Sequence, residues 1–436
     1  MKVAFYTLGC KVNWYETEAI GKIFQSNGYE IVTEINSADV VVVNTCAVTA
    51  ISSQKSRQAI RRAIRANPNA VVCVLGCYAQ NSPAEISAID GVDVIVGTAE
   101  RMKIVELVEQ VLKNRDEKIL RVDDVEKISA FEELPHTPQR TRAFLKIEDG
   151  CNNFCAYCII PYLRGRVRSR SLENIRAECL ELAAGGYREI VLTGIHIGAY
   201  GADFKNKISL VDAVKTVLDA ANPLRLRLGS IESAEMSDEL IDLIKSDERI
   251  CNHVHLPLQS GSDEILKSMR RPYTTKNFSA LTSKLVKEIP DISIGTDLIV
   301  GFPNETEKNF AETLDFVQAQ PFSKIHVFPF SAREGTLAAT MQNQIPAQVK
   351  RERAARALEI SAAKEKIFAE KLIGKTVEII AETQEENFID GLTKNYVRVY
   401  VPASSEINSG DVVKVHVEKI FRNGVLATSY KLQATS

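Results

Sequence analysis

The chain has 436 residues, of which 45% are hydrophobic and 25% are charged, and its formal net charge is −2. This length exceeds what one hydrophobic core normally covers, so we expect two or three domains. The near-neutral charge gives no long-range attraction for a polyanion, and no apolar run approaches a membrane span, so we expect a cytoplasmic protein without a membrane segment. The nine cysteines are expected to be metal ligands, catalytic groups or packed thiols rather than disulfides.

The amino-terminal part of the chain alternates short apolar runs with amphipathic segments. The apolar runs, rich in valine and isoleucine, cover residues 3–6, 40–43, 71–75 and 92–96. Short runs of this kind separated by helices are typical of a parallel sheet whose two faces are covered. We therefore predict an α/β domain with a parallel sheet over residues 1–125.

Three cysteines follow strands of this predicted sheet: Cys10 after the first run, Cys46 after the second and Cys77 after the third. Because parallel strands end at a common edge, which carries the sites of such sheets, we expect the three thiols to lie together. Three thiolates without a fourth ligand favour an iron–sulfur cluster with one open iron over unrelated loop thiols. Cys73 and Cys179 are predicted to be packed side chains, as free cysteines usually are.

A compact motif in the middle of the chain carries the strongest chemical signal. It has the spacing Cys151-x3-Cys155-x2-Cys158. Thiolates bind iron–sulfur clusters, and a cubane held by three of them keeps one iron open for a small molecule. A structural zinc site usually has two separated ligand pairs, and a disulfide framework belongs to short secreted chains, so the motif favours a cluster.

Residues 114–140 are charged and irregular, with Pro135 and Pro138 near the end, and are predicted to form a linker. A second α/β series follows, and six βα units predict a barrel or partial barrel over residues 140–371. In such barrels the active face is the carboxyl edge of the strands, and the cysteine motif follows the first strand. The predicted strands cover residues 143–147, 190–193, 224–228, 254–258, 292–300 and 325–330.

The carboxyl-terminal part of the sequence contains two different patterns of apolar and polar residues. Residues 349–371 predict a basic helix, and short alternating strands follow it. The regular spacing of these strands and a turn at Arg422-Asn423-Gly424 predict a small β-barrel over residues 373–434, of the OB-like kind that grips oligonucleotides. A dimerisation or capping module is the alternative. The predicted strands cover residues 376–383, 396–401, 412–420 and 425–430.

Two clusters of basic residues are candidates for a nucleic-acid surface, with a solvated face as the more ordinary alternative. Arg164, Arg166, Arg168 and Arg170 alternate directly after the cysteine motif. The other cluster lies on a helical stretch without an acidic residue and consists of Lys55, Arg57, Arg61, Arg62 and Arg65.

The continuation of the motif as Ile159-Ile160-Pro161-Tyr162-Leu163-Arg164-Gly165-Arg166 resembles the radical S-adenosylmethionine methylthiotransferases. The resemblance covers almost the whole chain: an amino-terminal domain with three separated cysteines, a radical partial barrel and a terminal β-barrel of the TRAM type. Within the family, Thr7-Leu8-Gly9-Cys10-Lys11-Val12-Asn13 and Gly76-Cys77-Tyr78-Ala79-Gln80 are most similar to the branch that acts on N6-threonylcarbamoyladenosine at position 37 of tRNA.

The resemblance implies an enzyme with two 4Fe–4S clusters that uses S-adenosylmethionine both as methyl donor and as radical source. The cluster of the central motif would bind S-adenosylmethionine and yield a deoxyadenosyl radical, and the other cluster would supply a methylthio group for carbon 2 of adenine. No side-chain base can remove the proton of this ring C–H, so a radical route fits. The implied partners are the tRNA anticodon arm and an electron donor such as a flavodoxin or ferredoxin. The implied cluster ligands are Cys10, Cys46, Cys77, Cys151, Cys155 and Cys158.

The resemblance also implies further contacts, each of which has barrel-rim packing or a solvated surface as its alternative. Tyr157 would lie beside the cofactor adenine, and Thr193 and Gly194 would pair with its methionyl amine. The other implied cofactor contacts are Ser230, Glu232, Gln259, Ile299 and Gly301. The implied phosphate contacts are Arg164, Arg166, Arg168, Lys55, Arg57 and Arg61.

Three alternatives stay open at this point. The same chemistry on another substrate, either isopentenyl-adenosine in tRNA or an aspartate of a ribosomal protein, differs only in the motif around Cys10. A non-catalytic iron–sulfur electron carrier or redox-sensing RNA-binding protein would hold clusters without this chemistry. A zinc-binding RNA module would hold zinc instead of iron.

Overall fold

The computed structural model of this protein describes residues 1–223 and 225–429. The amino-terminal strands are β1 (Lys2–Thr7), β2 (Glu30–Val32), β3 (Val40–Thr45), β4 (Val71–Gly76), β5 (Val94–Val96) and β6 (Ile119–Arg121). They form a parallel sheet in the order β2-β1-β3-β4-β5-β6, which confirms the fold predicted for this part. β6 joins the sheet edge through the pair Val94↔Ile119, so the prediction of a linker is wrong there. Flanking charged residues hide this short strand in the sequence.

Helices cover both faces of this sheet. They are α1 (Lys11–Ser26), α2 (Ala50–Ala66), α3 (Cys77–Asn81), α4 (Pro83–Ser87) and α5 (Ile104–Lys113). Val40 and Val42 pack in a core with α1 and α5, whereas Val41 and Val43 pack in a core with α2, because successive side chains of a strand point to opposite faces. The valine run of β3 is therefore buried on both sides, and it leads directly to Cys46.

The central part is a second parallel α/β unit. Its strands are β7 (Ala143–Lys146), β8 (Glu148–Asp149), β9 (Arg168–Ser169), β10 (Glu189–Thr193), β11 (Arg225–Arg227), β12 (His253–His255), β13 (Ser293–Val300) and β14 (Lys324–Pro329). One sheet has the order β11-β10-β7 and another the order β12-β13-β14. The bridges Leu226↔Ile250 and Ser230↔His255 connect the two sheets, so these strands form the predicted partial barrel.

Helices alternate with the central strands. They are α6 (Ile160–Arg164), α7 (Leu172–Ala184), α8 (Leu210–Ala221), α9 (Asp238–Ser246), α10 (Asp263–Ser268), α11 (Thr275–Glu288), α12 (Glu307–Ala319), α13 (Leu337–Thr340) and α14 (Ala347–Glu370). Leu145, Leu192 and Leu226 lie in the core between strands and helices. The predicted strands are confirmed with shifted ends, and Leu224, part of the third, lies outside the described residues. No helix in the described part of the chain is both long and apolar enough to span a membrane.

The carboxyl-terminal part is a closed β-barrel, which we call the terminal barrel. Its strands are β15 (Thr376–Glu385), β16 (Phe388–Leu392), β17 (Arg398–Pro402), β18 (Val412–Phe421) and β19 (Gly424–Ser429), in the order β15-β16-β17-β19-β18. The sequence does not predict β16, because Asp390 and Gly391 interrupt its apolar alternation. The predicted turn at Arg422 and Asn423 joins β18 to β19. Tyr430, the end of the last predicted strand, and the residues after it lie outside the described residues.

Buried contacts fix the terminal barrel to the central strands. Arg225 Nη1 donates to the carbonyl of Leu392 at 2.8 Å. Tyr396, in the loop between β16 and β17, packs its ring against His253 with the ring centroids 4.4 Å apart. The Arg227 guanidinium lies 4.7 Å from the centroid of the same tyrosine ring. The loop that carries Tyr396 is therefore inserted among the side chains of β11 and β12.

Candidate active site

Cys10, Cys46 and Cys77 follow β1, β3 and β4 at the carboxyl edge of the amino-terminal sheet, and we call them the auxiliary site. Cys10 is the N-cap residue of α1, and Cys77 is the first residue of α3. Gly76 has a φ of 95°, and a Cβ there would lie 2.7 Å from the carbonyl oxygen of Thr45. Only glycine fits this strand-to-helix turn without strain, and the turn places Cys77 at the sheet edge.

The three thiols of the auxiliary site lie close enough to influence one another's ionisation. Burial raises the pKa of Cys77 to about 11, with Cys46 and Cys10 adding to the rise and Arg164 opposing it. Burial also raises the pKa of Cys46, and the neighbouring Cys10 contributes. Metal binding to such thiols is coupled to the release of their protons. The structure thus brings the three separated cysteines together.

Cys151, Cys155 and Cys158 lie in the loop after β7 and β8, which we call the cysteine loop. Nitrogen donors face its sulfurs: Arg271 Nη1 lies 3.3 Å from Cys155 Sγ, and the backbone N–H of Asn153 donates to Cys151 Sγ at 3.4 Å. Burial raises the pKa of Cys158 to about 12. Donors aimed at sulfur stabilise thiolates, as a bound cluster requires.

Arg164 connects the auxiliary site with the segment after the cysteine loop. Its side chain is buried, and its charge and a hydrogen bond lower the pKa of Cys77 against the effect of burial. Its Nη1 lies 2.7 Å from Glu16 Oε1 and 3.2 Å from Asp149 Oδ1. Its Nε is buried without a hydrogen-bond partner among the described residues. A positive group with an unused donor beside Cys77 fits a negatively charged cluster at the auxiliary site.

The structure contradicts two of the predicted phosphate contacts. Arg164 is 1% exposed and Arg168 is 5% exposed, so neither guanidinium is available to RNA. Arg168 Nη1 donates to the carbonyl oxygens of Arg164 and Arg166, both at 2.8 Å. Arg170 is also buried, whereas Arg166 is exposed and stacks over Phe154 at 4.8 Å. Of this arginine run, Arg166 therefore stays a candidate for phosphate contact.

α2 begins shortly after Cys46, so Lys55 and Arg57 lie in the half of the helix nearer the auxiliary site. Arg61, Arg62 and Arg65 lie toward the opposite edge of the sheet, where the C-cap residue Asn67 donates to the carbonyl of Ala38 at 2.8 Å. Arg57 is half-buried, and its Nη1 donates to the Tyr78 hydroxyl at 2.9 Å. The other basic residues of this helix are exposed to solvent, as a phosphate contact requires, and their contacts with RNA stay a prediction. The exposed basic residues of this helix are Lys55, Arg61, Arg62 and Arg65.

Several predicted cofactor contacts line the cysteine loop. Tyr157 and Ile299 pack in one apolar cluster with Phe302 and Phe330. An apolar wall of this kind suits the face of an adenine ring. Gly301 follows Ile299 at the carboxyl end of β13 with a φ of 74°.

Other predicted cofactor contacts lie at the carboxyl ends of β10 and β12. Thr193 ends β10, and a Cβ on the following Gly194 would lie 2.8 Å from Glu148 Oε2. Gln259 has a φ of 66°, and its backbone N–H donates to the carbonyl of Asp297 at 2.8 Å. These positions share the strand edge that carries the cysteine loop.

Glu232 and Ser230 have partners of different kinds. Glu232 forms an ion pair with Arg271, the residue whose Nη1 faces Cys155. Ser230 Oγ lies 2.9 Å from His255 Nδ1. Glu232 is therefore linked to the cysteine loop through Arg271, and the structure shows no such link for Ser230 within residues 1–223 and 225–429.

Some polar residues of the cysteine loop's surroundings are not predicted from the sequence. His196 Nδ1 lies 3.5 Å from Cys151 Sγ, and its Nε2 lies 2.9 Å from Glu235 Oε2. Glu148 is buried, its Oε1 has no hydrogen-bond partner in the described residues, and burial raises its pKa to about 8. His196 could be found from the sequence, because it closely follows the predicted strand end at Thr193 and Gly194. Arg271 lies between predicted elements, so no sequence pattern indicates its role.

A cavity of about 700 Å³ lies between the central strands, α14 and the terminal barrel. Lys11 lines it from the start of α1, next to Cys10, and burial lowers the pKa of this lysine. Burial alone would raise the pKa of Tyr396, but the nearby Lys11, Arg142 and Arg227 outweigh burial and lower it. Lysine and arginine side chains outnumber carboxylates in the lining of the cavity. The sequence does not predict this cavity, because distant parts of the chain build it.

Zinc and a cubane cluster hold their thiolate ligands at different distances from one another. In the described residues, no group of three or more His, Cys, Asp or Glu side chains is arranged to hold a single metal ion. Four ligands at about 2.3 Å from one zinc lie roughly 3.8 Å from each other. A cubane binds each thiolate on a different iron, so its ligands spread more widely. Three thiolates at each cysteine site are the donor set of a cubane with one open iron.

Known proteins match the chain over most of its length. Residues 2–97 match the uncharacterized protein family UPF0004, and residues 145–317 match the Radical SAM superfamily. The chain is 46% identical to the threonylcarbamoyladenosine tRNA methylthiotransferase MtaB of Bacillus subtilis, over 96% of this chain and 94% of that protein. It is 38% identical to the tRNA-2-methylthio-N(6)-dimethylallyladenosine synthase of Thermoanaerobacter pseudethanolicus, over 86% of this chain and 81% of that protein.

The fold also has a solved counterpart. The radical S-adenosylmethionine methyltransferase TsrM of Kitasatospora setae matches with a TM-score of 0.58 and 17% identity, over 78% of this chain and 77% of that chain. At this identity the likeness concerns the fold alone. The full-length relatives and the two cysteine sites establish the rest: the chain belongs to the radical S-adenosylmethionine tRNA methylthiotransferase family, whose cofactors are two 4Fe–4S clusters and S-adenosylmethionine.

Proposed function

We propose that this protein adds a methylthio group to carbon 2 of N6-threonylcarbamoyladenosine at position 37 of tRNA. The observation that carries the proposal is that Arg164, which ends the helix after the cysteine loop, lies beside Cys77 of the auxiliary site, because the reaction needs a radical source and a sulfur donor at one adenine. Relatives named for this substrate support it; they match at least 95% of the chain with 35% to 46% identity.

The residues divide the work between the two sites. The cysteine loop would hold the cluster that binds S-adenosylmethionine, and the auxiliary site would hold the second cluster. When bound, these groups supply the radical and the methylthio sulfur. Tyr157 and Ile299 would pack against the cofactor adenine, and Arg271 would hold Cys155 and Glu232 in place. Arg271 and Cys155 are buried and Tyr157 and Ile299 are partly buried, which would limit the access of water to the reacting centre.

Exposed basic side chains would bind the RNA. Arg166 lies near the cysteine loop, and Lys55 lies in the half of α2 that begins shortly after Cys46, so both would lie around the place where an adenine must enter. Contacts of this kind gain free energy from the release of counterions. The terminal barrel would grip the anticodon arm, as small closed barrels grip oligonucleotides.

The proposal includes further elements that follow from the reaction. Cleavage of S-adenosylmethionine consumes an electron, so a reductant such as a flavodoxin or ferredoxin is needed. The protein would work in the cytoplasm, where its tRNA is. The domains over residues 1–125 and 140–371 are supported by the family models matched at residues 2–97 and 145–317. The closed barrel of β15 to β19 supports a third domain over residues 373–434, of which residues 430–434 lie outside the described residues.

A second candidate substrate is N6-dimethylallyladenosine in tRNA. It is favoured by the 38% identity to a synthase of that name over 86% of this chain. The two candidates differ in the N6 substituent, which carries a carboxylate in one case and only hydrocarbon in the other.

Anaerobic turnover tests both candidates. Reduced, reconstituted protein is incubated with S-adenosylmethionine and an anticodon stem-loop RNA that carries either modified adenosine, and nucleosides are analysed by mass spectrometry. We expect deoxyadenosine and a methylthio product with the threonylcarbamoyl RNA, and neither with a Cys158→Ala variant. Product with the dimethylallyl RNA alone would establish the second candidate. No deoxyadenosine with either RNA would refute the catalytic proposal.

A further inference from the structure

The cavity of about 700 Å³ has one wall that belongs to the amino-terminal domain. Lys11 contributes this wall, and Lys11 is the neighbour of the auxiliary-site residue Cys10. The other walls come from β12, β13 and β14, from α14 and from the loop that carries Tyr396. The volume is in the range of small-molecule sites. The cavity therefore reaches the residue that directly follows Cys10 of the auxiliary site.

Most cations that line the cavity already have a carboxylate partner. Lys324 Nζ lies 2.9 Å from Glu365 Oε1, and Arg142 Nε lies 2.5 Å from Glu382 Oε1. Lys11 differs, because its amino group has no ion pair or hydrogen bond with any residue in the ranges 1–223 and 225–429; Tyr396 and Glu189 act on its charge only from a longer distance. The other paired cations are Arg398 with Asp390, Arg422 with Glu386 and Lys366 with Glu370.

A second unsatisfied group lines the same cavity. His253 is 7% exposed, and its Nδ1 is buried without a hydrogen-bond partner among the described residues. Burial, together with Arg227 and Lys11, lowers the pKa of His253 well below its ordinary value, so the ring is neutral. Buried polar groups are normally paired. A lone ammonium group and an unused ring nitrogen are the complement of a ligand that has a negative end and further polar atoms.

We infer that Lys11 binds the carboxylate of the threonylcarbamoyl group and thereby selects this substrate over adenosines with a neutral N6 substituent. The inference rests on the proposed function, which brings the modified adenine to the auxiliary site. Inside a cavity the attraction between ammonium and carboxylate is less screened than at the surface. A hydrocarbon substituent would leave the Lys11 ammonium desolvated and unpaired. The other source of such an oxyanion is a backbone phosphate of the RNA.

Three anticodon stem-loop RNAs test the inference. One carries threonylcarbamoyladenosine at position 37, one carries its carboxyl methyl ester, and one carries plain adenosine. Their affinities for the anaerobically purified holoprotein are measured by fluorescence anisotropy without S-adenosylmethionine, so that no turnover occurs. We expect the acid to bind about ten- to a hundredfold more tightly than the ester, the gain of a charge-assisted contact. Equal binding of acid and ester would overturn the inference.

Variants assign the preference to Lys11. In Lys11→Gln, the affinities for the acid RNA and the ester RNA are expected to differ by less than about threefold. Lys11→Arg keeps the charge and is expected to retain most of the wild-type preference for the acid RNA. Lys366→Gln is the matched control: it removes the same charge from the same cavity, but Lys366 already faces Glu370 at 3.9 Å, so the ratio should stay at the wild-type value. An undiminished ratio in Lys11→Gln would overturn the inference.

The remaining outcomes are separable. Lys11 adjoins the cluster ligand Cys10. If the Lys11→Gln protein holds less iron than the wild type, its RNA affinities are therefore compared with those of wild-type protein stripped of its clusters. If Lys11→Gln weakens all three RNAs by one factor, Lys11 contacts a backbone phosphate and the inference is overturned. Failure of the proposed function gives a different result. In the turnover assay the wild-type protein would then form no methylthio product from the acid RNA, whatever its ratio of affinities for acid and ester.

Discussion

Arg164 and Glu16 form a two-point ion pair inside the protein: Nη1 lies 2.7 Å from Oε1, and Nη2 lies 3.1 Å from Oε2. Both side chains are fully buried. Burial would raise the pKa of Glu16, but Arg101, Arg164 and Lys146 outweigh burial and lower it to about 2. Glu16 lies on α1, which begins after Cys10, and Arg164 ends α6, which follows the cysteine loop. The pair therefore ties the two cysteine-bearing segments together.

The first prediction concerns this pair. Arg164→Met removes the charge but keeps much of the side-chain volume, and it leaves the Glu16 carboxylate buried with fewer partners. We expect the free energy of unfolding to fall by about 3 to 5 kcal/mol, and the iron bound at the auxiliary site to be lost. Chemical denaturation and iron analysis measure both effects.

The matched control for Arg164→Met is Arg166→Met, which removes an exposed arginine two positions along the same run. It should change the free energy of unfolding by less than about 0.5 kcal/mol. Equal stability of the two variants would contradict the structural role of the Arg164–Glu16 pair.

The second prediction concerns the cluster ligands. Cys46→Ala should lower the iron content from about eight to about four atoms per chain, because three thiolates hold each cluster. Cys73→Ala is the control: Cys73 is buried in the core of β4, and burial raises the pKa of its thiol. It should keep about eight irons. Loss of iron from Cys73→Ala, or full iron in Cys46→Ala, would show that the auxiliary site is assigned to the wrong cysteines.

The third prediction concerns the exposed basic surface of α2. The double variant Lys55→Gln and Arg61→Gln should weaken tRNA binding and reduce the slope of log affinity against log salt by about 0.7 for each lost phosphate contact. Lys215→Gln on α8 is the control, since Lys215 is 51% exposed and pairs with Glu239. Titrations at several salt concentrations measure the slopes, and an unchanged slope in the double variant would exclude phosphate contacts at these positions.

The fourth prediction concerns pH. His136 lies between Glu178 and Glu18, with its Nδ1 2.8 Å and its Nε2 3.0 Å from the carboxylates. Burial lowers the pKa of His136, but hydrogen bonds with both carboxylates outweigh burial and raise it above 6.5. The charged ring therefore stabilises the fold fully below about pH 6.5, and this contribution is lost as pH rises through the raised pKa.

The variant His136→Gln should accordingly be less stable than the wild type by a margin that is larger near about pH 6 than near about pH 9. Denaturation midpoints of both proteins across this range measure the margin. A margin that grows with pH would contradict the assigned direction of the pKa shift.

The strands and the placement of the cysteines could be predicted because both signals are local. Valine runs mark β3 and β4, and Cys46 and Cys77 follow them directly. The role of Arg164 could not be predicted, because an alternating arginine run looks the same whether it faces water or buried acids. Its partner Glu16 lies far away in the sequence, and only the fold brings the two together. The role of Lys11 could not be predicted for the same reason, because three separate parts of the chain build the walls of its cavity.

The inserted Tyr396 loop has a mechanical consequence. Because the tyrosine ring is held against His253 and Arg227, the terminal barrel cannot swing away from the central strands without breaking buried contacts. An RNA bound by that barrel would therefore be held at a fixed distance from the cysteine loop. The nucleotide that reaches the iron would then be chosen by its position along the strand, counted from the point of grip.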